Sequence, residues 1–238
     1  MSLCLAIDTA TDTGSVAVGD GGSLIAEINV GHRRAAGTLM PAIHQCLGLS
    51  DLTLHDLDAI AVADGPGSFT GLRIAFATVQ GIVTQREVPV WVAPSLMVCA
   101  FAAGQPAGTP VAAVYDALRE EVFVGVYAFS ATEVTTLLAA SRVAVRDLGA
   151  CCPVKPAHAV GDGVVIYAAA IRDWTGNTPV GLPAPLGGPR ASALLKLCGM
   201  KGGTRSIGSL AEFEPHYGRH AEAQVRWEQE HGRPLSHG

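Results

Sequence analysis

A strand ending in aspartate, followed by a polar turn and a returning strand, occurs twice in this sequence. The first copy runs over Leu5–Asp8 and returns over Ser15–Val18. The second runs over Ala113–Asp116 and returns over Val122–Val126. Such self-similarity favours an internal duplication, although two unrelated units could share so common a pattern. A duplication predicts two lobes with similar α/β topology.

Hydrophobic periodicity extends this pattern into an alternating series of strands and helices. Predicted strands lie at Leu3–Ile7, Ser15–Gly19, Leu24–Val30, Asp58–Ala63, Val134–Leu138, Ser141–Val145 and His158–Val160. Predicted helices lie at Thr38–Gly48, Leu72–Thr84, Ser95–Ala103, Val165–Trp174 and Ala191–Cys198. Thr38 would cap the first helix, with Pro41 in its first turn, where no internal N–H is needed. We expect an N-terminal lobe at 1–104, a C-terminal lobe at 105–213 and a partly exposed tail at 214–238.

The composition disfavours several classes of protein. The chain is 49% hydrophobic and 16% charged, so its apolar surface must be well buried or shared with a partner. A net charge of −5 without a basic stripe argues against a protein that grips nucleic acid alone. The uncharged stretch Val88–Tyr115 is broken by proline and glycine, which disfavours a membrane span. With no signal-peptide pattern and no C-x-x-C pair among its six cysteines, the sequence predicts a cytoplasmic protein with reduced thiols.

The turn after Asp8 is the first candidate site. In one phosphotransferase superfamily, a strand-end aspartate holds the water of a metal ion while turn amides grip nucleotide phosphates. Such turns usually have glycine two residues after the aspartate, and Ala10 occupies that position here. Asp8 and Thr9 therefore form either an anion site or, as the methyl group of Ala10 favours, a purely structural turn.

A glycine-rich turn at the start of the second predicted helix is the other candidate site. Its amides and the helix dipole could bind an anion, but the G-K-[ST] end of a P-loop is missing. Alternatively, the glycines only permit left-handed backbone, and Ser68 or Thr70 caps the helix. The residues concerned are Gly65, Pro66, Gly67, Ser68, Phe69, Thr70 and Gly71.

Other catalytic patterns are missing from the sequence. His32, His44 and His55 form no H-x-x-x-H or H-E-x-x-H pair, and no G-x-S-x-G elbow is present. We therefore predict no catalytic residues and no metal ligands.

The two candidate turns also carry a resemblance to a known family. Leu5–Thr11, together with the string Gly65–Gly71 and the Leu-Arg pair that follows it, resembles the family called TsaB or YeaZ. Three later segments agree in the same order: Val90–Leu96, Asp116–Phe123 and Glu214–Arg219. The resemblance spans nearly the whole chain, with its loosest part in the middle.

This resemblance implies a two-lobed actin/Hsp70/sugar-kinase-like fold with duplicated mixed sheets flanked by helices. It also implies a non-catalytic dimerisation subunit of the bacterial machinery that forms N6-threonylcarbamoyladenosine at position 37 of tRNA. In that machinery the related TsaD holds the metal and transfers the threonylcarbamoyl group, and the ATPase TsaE docks on the pair. The chain would meet tRNA only through the complex. It would have no cofactor of its own, and ATP or ADP at the interface of the assembled complex is left open.

We predict that the helices beginning near Thr38 and after Phe69 form the TsaD-facing surface. The small-sided flank of the second helix, at Ala77 and Gly81, would let another helix approach closely. The predicted interface residues are Thr38, Leu39, Ala42, Ile43, Arg73, Ala77, Gln80 and Gly81. The same face could pair two copies of the isolated chain.

Three positions depart from the family pattern, and two rival functions stay open. Ala35 stands at or near the place of a family histidine, and Gly218 stands where the family has a leucine. The family's arginine is either replaced by Leu118 or displaced to Arg119. These departures put particular polar contacts in doubt rather than the fold. The Asp8 turn keeps an autonomous ATP-dependent phosphotransferase under consideration. A peptidase is the weaker rival, because the sequence shows no nucleophile–base pair.

Overall fold

Two mixed β-sheets, one in each lobe, organise the chain. The structure, a computed structural model, describes residues 3–31, 35–151, 154–176, 190–208 and 213–217. The strands within these ranges are β1 Leu3–Asp8, β2 Thr13–Asp20, β3 Ser23–Gly31, β4 Ala59–Ala63, β5 Val90–Ala93, β6 Val111–Asp116, β7 Glu121–Phe129, β8 Val134–Ala144, β9 His158–Val160 and β10 Arg205–Ile207. The first sheet has the order β10-β5-β4-β1-β2-β3, and the second has the order β8-β7-β6-β9.

Helices cover the faces of both sheets. They are α1 Ala35–Gly48, α2 Phe69–Gln85, α3 Ser95–Ala102, α4 Leu148–Cys151, α5 Asp162–Ile166, α6 Ala168–Thr175 and α7 Ala191–Leu197. Short 3-10 segments lie at Leu54–Asp56 and Val145–Asp147.

The strand pairing confirms the duplication that the sequence predicts. In the first lobe, β1 is antiparallel to β2, β2 is antiparallel to β3, and β1 is parallel to β4. The second lobe repeats this with β6, β7, β8 and β9 in the same roles. The α/β fold class is therefore confirmed as the two-lobed actin/Hsp70/sugar-kinase-like arrangement of mixed sheets flanked by helices.

The alternating side chains of β1 divide the first lobe into two apolar layers. Cys4 and Ala6 face a central cluster that also contains residues of α3, α7 and the second sheet. Leu5 and Ile7 face an outer cluster with α1 and α2. A third cluster lies on the other face of the second sheet, under α4, α5 and α6. The central layer thus joins the lobes, while α1 and α2 cover the outer face of the first sheet.

The start of α1 differs from the prediction. The helix begins at Ala35, so Thr38 and Pro41 lie inside it and Thr38 is not its cap. The residues before Thr38 include alanines, which are strong helix formers and extend the helix toward the N-terminus. Pro41 lies four residues after Gly37, and both are on the exposed side of the helix. The predicted end at Gly48 is confirmed.

Two predicted elements of the second lobe are divided differently in the structure. The two strands expected at Val134–Leu138 and Ser141–Val145 are one strand, Val134–Ala144, because irregular pairing with β7 lets it continue without a break. The single helix expected at Val165–Trp174 is instead two helices, which meet at Tyr167.

The chain returns to the first lobe before its end, which corrects the lobe boundary predicted at residue 213. The backbone N–H of Ala191 donates to Ser15 Oγ over 2.7 Å, which fixes the start of α7 beside β2. Farther on, β10 pairs antiparallel with β5 at the edge of the first sheet. The C-terminal lobe is therefore an insertion between two parts of the first, and the sequence offers no local signal for such a long-range crossover.

Candidate functional site: the paired turns and the exposed helix face

The two candidate turns of the sequence pack directly against each other. The N–H of Ser68 donates to the carbonyl oxygen of Ala10 over 2.7 Å. In return, Thr9 Oγ1 donates to the carbonyl oxygen of Gly71, also over 2.7 Å. These bonds join the end of β1 to the first turn of α2, so each turn is held by the other.

Glycine is required at two positions because the turns approach so closely. A Cβ atom at Gly67 would meet the carbonyl oxygen of Ala10, and one at Gly71 would meet the carbonyl oxygen of Thr9. Both obstacles are backbone atoms, which cannot swing aside as a flexible side chain could. These glycines therefore serve close contact within the chain itself.

Three amides around this turn, those of Gly65, Ser68 and Gly71, are engaged. The N–H of Gly65 donates to Ser95 Oγ over 3.0 Å, and the N–H of Gly71 donates to Ser68 Oγ over 3.2 Å. Ser68 is thus the N-cap of α2, one of the two caps that the sequence allows. These contacts support a structural role for the turn, whereas anion binding by its remaining amides stays a prediction.

Asp8 lies fully buried beneath the paired turns. Its Oδ1 accepts a hydrogen bond from the N–H of Ala10 over 3.0 Å, while Oδ2 has no partner among the described residues. Burial raises the pKa of Asp8 to about 7, against the smaller opposing effect of the Ala10 amide. The N–H of Ala10 is therefore engaged within the chain and is not free to bind a phosphate oxygen.

A segment near the C-terminus is strapped across the same region. The N–H of His216 donates to the carbonyl oxygen of Asp64 over 2.8 Å, and Pro215 is buried. Arg205 Nη2 pairs with Asp64 Oδ2 at 2.8 Å. Burial raises the pKa of Asp64, and the neighbouring Arg205 guanidinium opposes that shift. The described part of the predicted tail, residues 214–217, is docked on the first lobe and is partly exposed, as expected. The rest of the tail lies outside the described residues.

Aromatic contacts attach this segment, which we call the strap (Phe213–Tyr217), to the side of α2. The Phe213 ring stacks on Phe76 with centroids 5.1 Å apart, and the Tyr217 ring lies 4.6 Å from that of Phe69. The strap and the paired turns together hold the N-terminal half of α2 in a fixed position.

The side of α2 that faces solvent carries half of the predicted interface. Arg73, Ala77, Gln80 and Gly81 are all exposed, at spacings that place them along one stripe of the helix. A Cβ atom at Gly81 would meet nothing within 4 Å. Their contact with a partner stays a prediction, but the structure leaves them accessible.

The predicted residues of α1 require a correction. Leu39, Ala42 and Ile43 are buried in the outer cluster of the first lobe, so they cannot be direct partner contacts. The apolar stripe of an amphipathic helix faces the chain's own core, so a partner could reach only its other side. Thr38 is half-buried. The exposed residues of this helix, which sequence reasoning missed, are Gly37, Pro41, His44, Gln45 and Gly48.

The exposed face formed by α1 and α2 has very little charge. Arg73 is the one permanently charged residue in the sequences of the two helices, Ala35–Gly48 and Phe69–Gln85. Its guanidinium carbon lies 4.4 Å from the centroid of the Phe69 ring, which places the cation beside the strap. A face with little charge and several small residues suits close packing with a partner helix.

The second lobe carries the family-like motif at the end of β6 in an unusual backbone. Leu118, Arg119 and Glu120 all have positive φ, between 55° and 63°. Asp116 stabilises this turn by accepting hydrogen bonds from the N–H of Leu118 and the hydroxyl of Tyr167, at 2.9 and 3.0 Å. The departure at Leu118 thus leaves the turn itself intact.

The described ranges contain neither a candidate metal site nor a candidate membrane-spanning helix. No group of three or more histidine, cysteine, aspartate or glutamate residues there could hold a metal ion. No helix in those ranges is both long and apolar enough to cross a bilayer.

Known proteins match this chain in both sequence and structure. A family profile described as TsaD, tRNA N6-adenosine threonylcarbamoyltransferase, matches residues 29–158. TsaB of Bacillus subtilis is 28% identical over 94% of this chain and 96% of its own length. TsaB of Escherichia coli is 37% identical over 52% of this chain and 54% of its own length.

A solved structure adds evidence over almost the full fold. YeaZ from Pseudomonas aeruginosa superposes with a TM-score of 0.69 at 32% identity, covering 84% of this chain and 91% of that one. The duplicated sheets and the profile match define the class, a two-lobed protein related to TsaD. Within that class, the chain belongs to the TsaB family, also called YeaZ.

Proposed function

We propose that this chain is a non-catalytic subunit that binds TsaD through the exposed face of α1 and α2. In that role it supports the formation of N6-threonylcarbamoyladenosine at position 37 of tRNA and lets TsaE dock on the pair. The observation that carries the proposal is the accessible, nearly uncharged face of these two helices. Family membership supplies the identity of the partner and of the reaction.

The position of α2 suits it to rigid docking. One side of the helix is buried through Leu72, Ala75 and Val79, its N-terminus is held by the paired turns, and the strap supports its flank. Docking on a helix that is already fixed costs little conformational entropy. The open space above Gly81 would let the backbone of a partner helix come close.

The candidate turns support a subunit over an autonomous phosphotransferase. The N–H of Ala10, one of the turn amides that a phosphate would need, is already bonded to Asp8 Oδ1. The net charge of −5 also disfavours independent binding of tRNA. Calorimetry of the isolated chain with Mg-ATP tests this rival: micromolar binding would revive it, whereas no heat of binding is expected. ATP or ADP at the interface with TsaD stays a prediction.

Ala77→Trp tests the proposed face. The indole would project from the exposed stripe of α2 and block close approach of a partner helix, so the variant should no longer co-purify with TsaD. Gly81→Trp, one turn farther along, should have the same effect. Each variant should remain folded by circular dichroism, because both positions are exposed.

Ala169→Trp is the matched control. Ala169 is also an exposed helical alanine, but it lies in α6 of the second lobe. This variant should co-purify with TsaD as the unmodified chain does. Retained binding by Ala77→Trp, or equal loss in both alanine variants, would contradict the assignment of the face.

A further inference from the structure

A single cation stands on the otherwise uncharged face formed by α1 and α2. Arg73 is exposed in the first half of α2, and the two helix sequences contain no other lysine or arginine and no aspartate or glutamate. Within the described ranges, no carboxylate forms an ion pair with Arg73. The next cation along the chain, Arg86, is half-buried, and its Nη1 donates to the carbonyl oxygen of Leu54 over 3.5 Å. Arg73 thus carries a charge that the described part of the chain does not neutralise.

Aromatic side chains hold this cation in place. Phe69 and Arg73 lie four residues apart in α2, so their side chains are neighbours on one side of the helix. The guanidinium carbon lies 4.4 Å from the centroid of the Phe69 ring, within the range of a cation–π contact. The Tyr217 ring of the strap lies 4.6 Å from the same ring and supports it. An arginine held in this way loses little conformational freedom when a partner binds, and its N–H groups remain able to donate.

A partner that covers the stripe of Ala77 and Gly81 also covers Arg73, which lies on the same side of α2. Burial of a charged group without a partner is strongly unfavourable. A carboxylate matches a guanidinium best, because it can accept two parallel hydrogen bonds from the planar fork. The chemistry of the face therefore calls for one acidic side chain on an otherwise apolar or small-sided partner surface.

We propose that Arg73 pairs with a carboxylate of the partner and thereby selects a heterologous partner over a second copy of this chain. The inference rests on the proposed function, which supplies TsaD as the partner of this face. A second copy offers no such carboxylate, because α1 and α2 contain neither aspartate nor glutamate. In a symmetric pair, each copy would cover the other with the same surface and leave both Arg73 cations unpaired. An unpaired charge disfavours the wrong partner, which is one way in which an interface gains specificity.

Binding measurements on Arg73→Met test the pair. Calorimetric titration should show affinity for TsaD reduced about tenfold or more, because the partner's carboxylate is left covered and unpaired. The affinity of the unmodified chain should fall as the NaCl concentration rises, and the affinity of Arg73→Met should fall less steeply. Sedimentation of the chain alone should show that Arg73→Met self-associates at least as strongly as the unmodified chain. Arg172→Met, at an exposed arginine of α6 in the second lobe, is the matched control and should bind TsaD normally.

Cross-linking identifies the carboxylate itself. Arg73→Lys keeps the positive charge but replaces the guanidinium with a primary amine, which a carbodiimide joins to a carboxylate in direct contact. Mass spectrometry of the digested complex should find a peptide that links position 73 to an aspartate or glutamate of TsaD. Arg172→Lys should give no cross-link to TsaD from position 172.

The results separate this inference from the proposed function. If Ala77→Trp abolishes binding while Arg73→Met keeps the affinity and salt dependence of the unmodified chain, the face stands and the ion pair is overturned. Absence of a cross-link at position 73, or an equal loss of self-association and of TsaD binding in Arg73→Met, would also overturn it. Normal binding by Ala77→Trp would instead remove the face, and the proposed site of the pair with it.

Discussion

Replacing Gly71 by alanine tests whether the two candidate turns are locked together. The new Cβ atom would meet the carbonyl oxygen of Thr9, a buried backbone atom that is itself part of the contact. Overpacking of this kind costs about 1–3 kcal/mol. Displacing Thr9 also threatens its 2.7 Å hydrogen bond to the Gly71 carbonyl, which contributes about 1 kcal/mol more.

Helix propensity works in the opposite direction. Gly71 lies in the first turn of α2, where alanine gains at most about 1 kcal/mol over glycine. The net expectation for Gly71→Ala is therefore a loss of about 1–3 kcal/mol in the free energy of unfolding.

Gly81→Ala in the same helix is the control. Its Cβ atom would meet nothing within 4 Å, so only the propensity gain of about 1 kcal/mol remains. Urea unfolding measures both variants, and they should lie on opposite sides of the unmodified chain. With an m-value of about 3 kcal/mol/M, their midpoints should differ by roughly 1 M. Equal stabilisation of both variants would refute the close packing of the turns.

Two further predictions concern buried carboxylates. Because burial raises the folded pKa of Asp8 from 3.8 to about 7, the folded state holds the extra proton in that window, and stability falls as pH rises through it. The Asp8→Asn variant lacks this titration. Between pH 5 and pH 8 its free energy of unfolding should therefore rise relative to that of the unmodified chain by roughly 3 kcal/mol, as measured by thermal unfolding. Parallel profiles of stability against pH would contradict this. Arg205→Met leaves the Asp64 carboxylate buried without its guanidinium, so unfolding at pH 8 should become easier by about 1–3 kcal/mol, and less so at pH 4. Lys201→Met, which breaks an exposed pair with Glu133, should change stability by under about 1 kcal/mol, and an equal effect of the two variants would count against the Asp64 contact.

Local patterns predicted much of this fold because they are set by neighbouring residues. The strand, aspartate, turn and returning strand recur in both sheets with the same pairing. The Ser68 cap and the helix after it follow from the spacing of apolar residues and from the turn chemistry. These features need no knowledge of distant parts of the chain.

Long-range contacts account for what the sequence could not predict. Nothing near β10 indicates that it pairs with β5, and nothing near Phe213 indicates that it stacks on Phe76. On α1, the prediction assigned Leu39 and Ile43 to the partner face, but helical spacing alone places such residues toward the chain's own core. Only the opposite, exposed stripe of α1 is accessible to a partner.

The most direct test of the proposed role is a reconstituted modification of tRNA. TsaD and TsaE, supplied with ATP and threonylcarbamoyl-adenylate, are assayed for N6-threonylcarbamoyladenosine in tRNA with and without this chain. We expect the modified nucleoside to form when the chain and TsaD are both present, and not with the chain alone. The same yield with or without the chain, or modification by the chain without TsaD, would contradict the account.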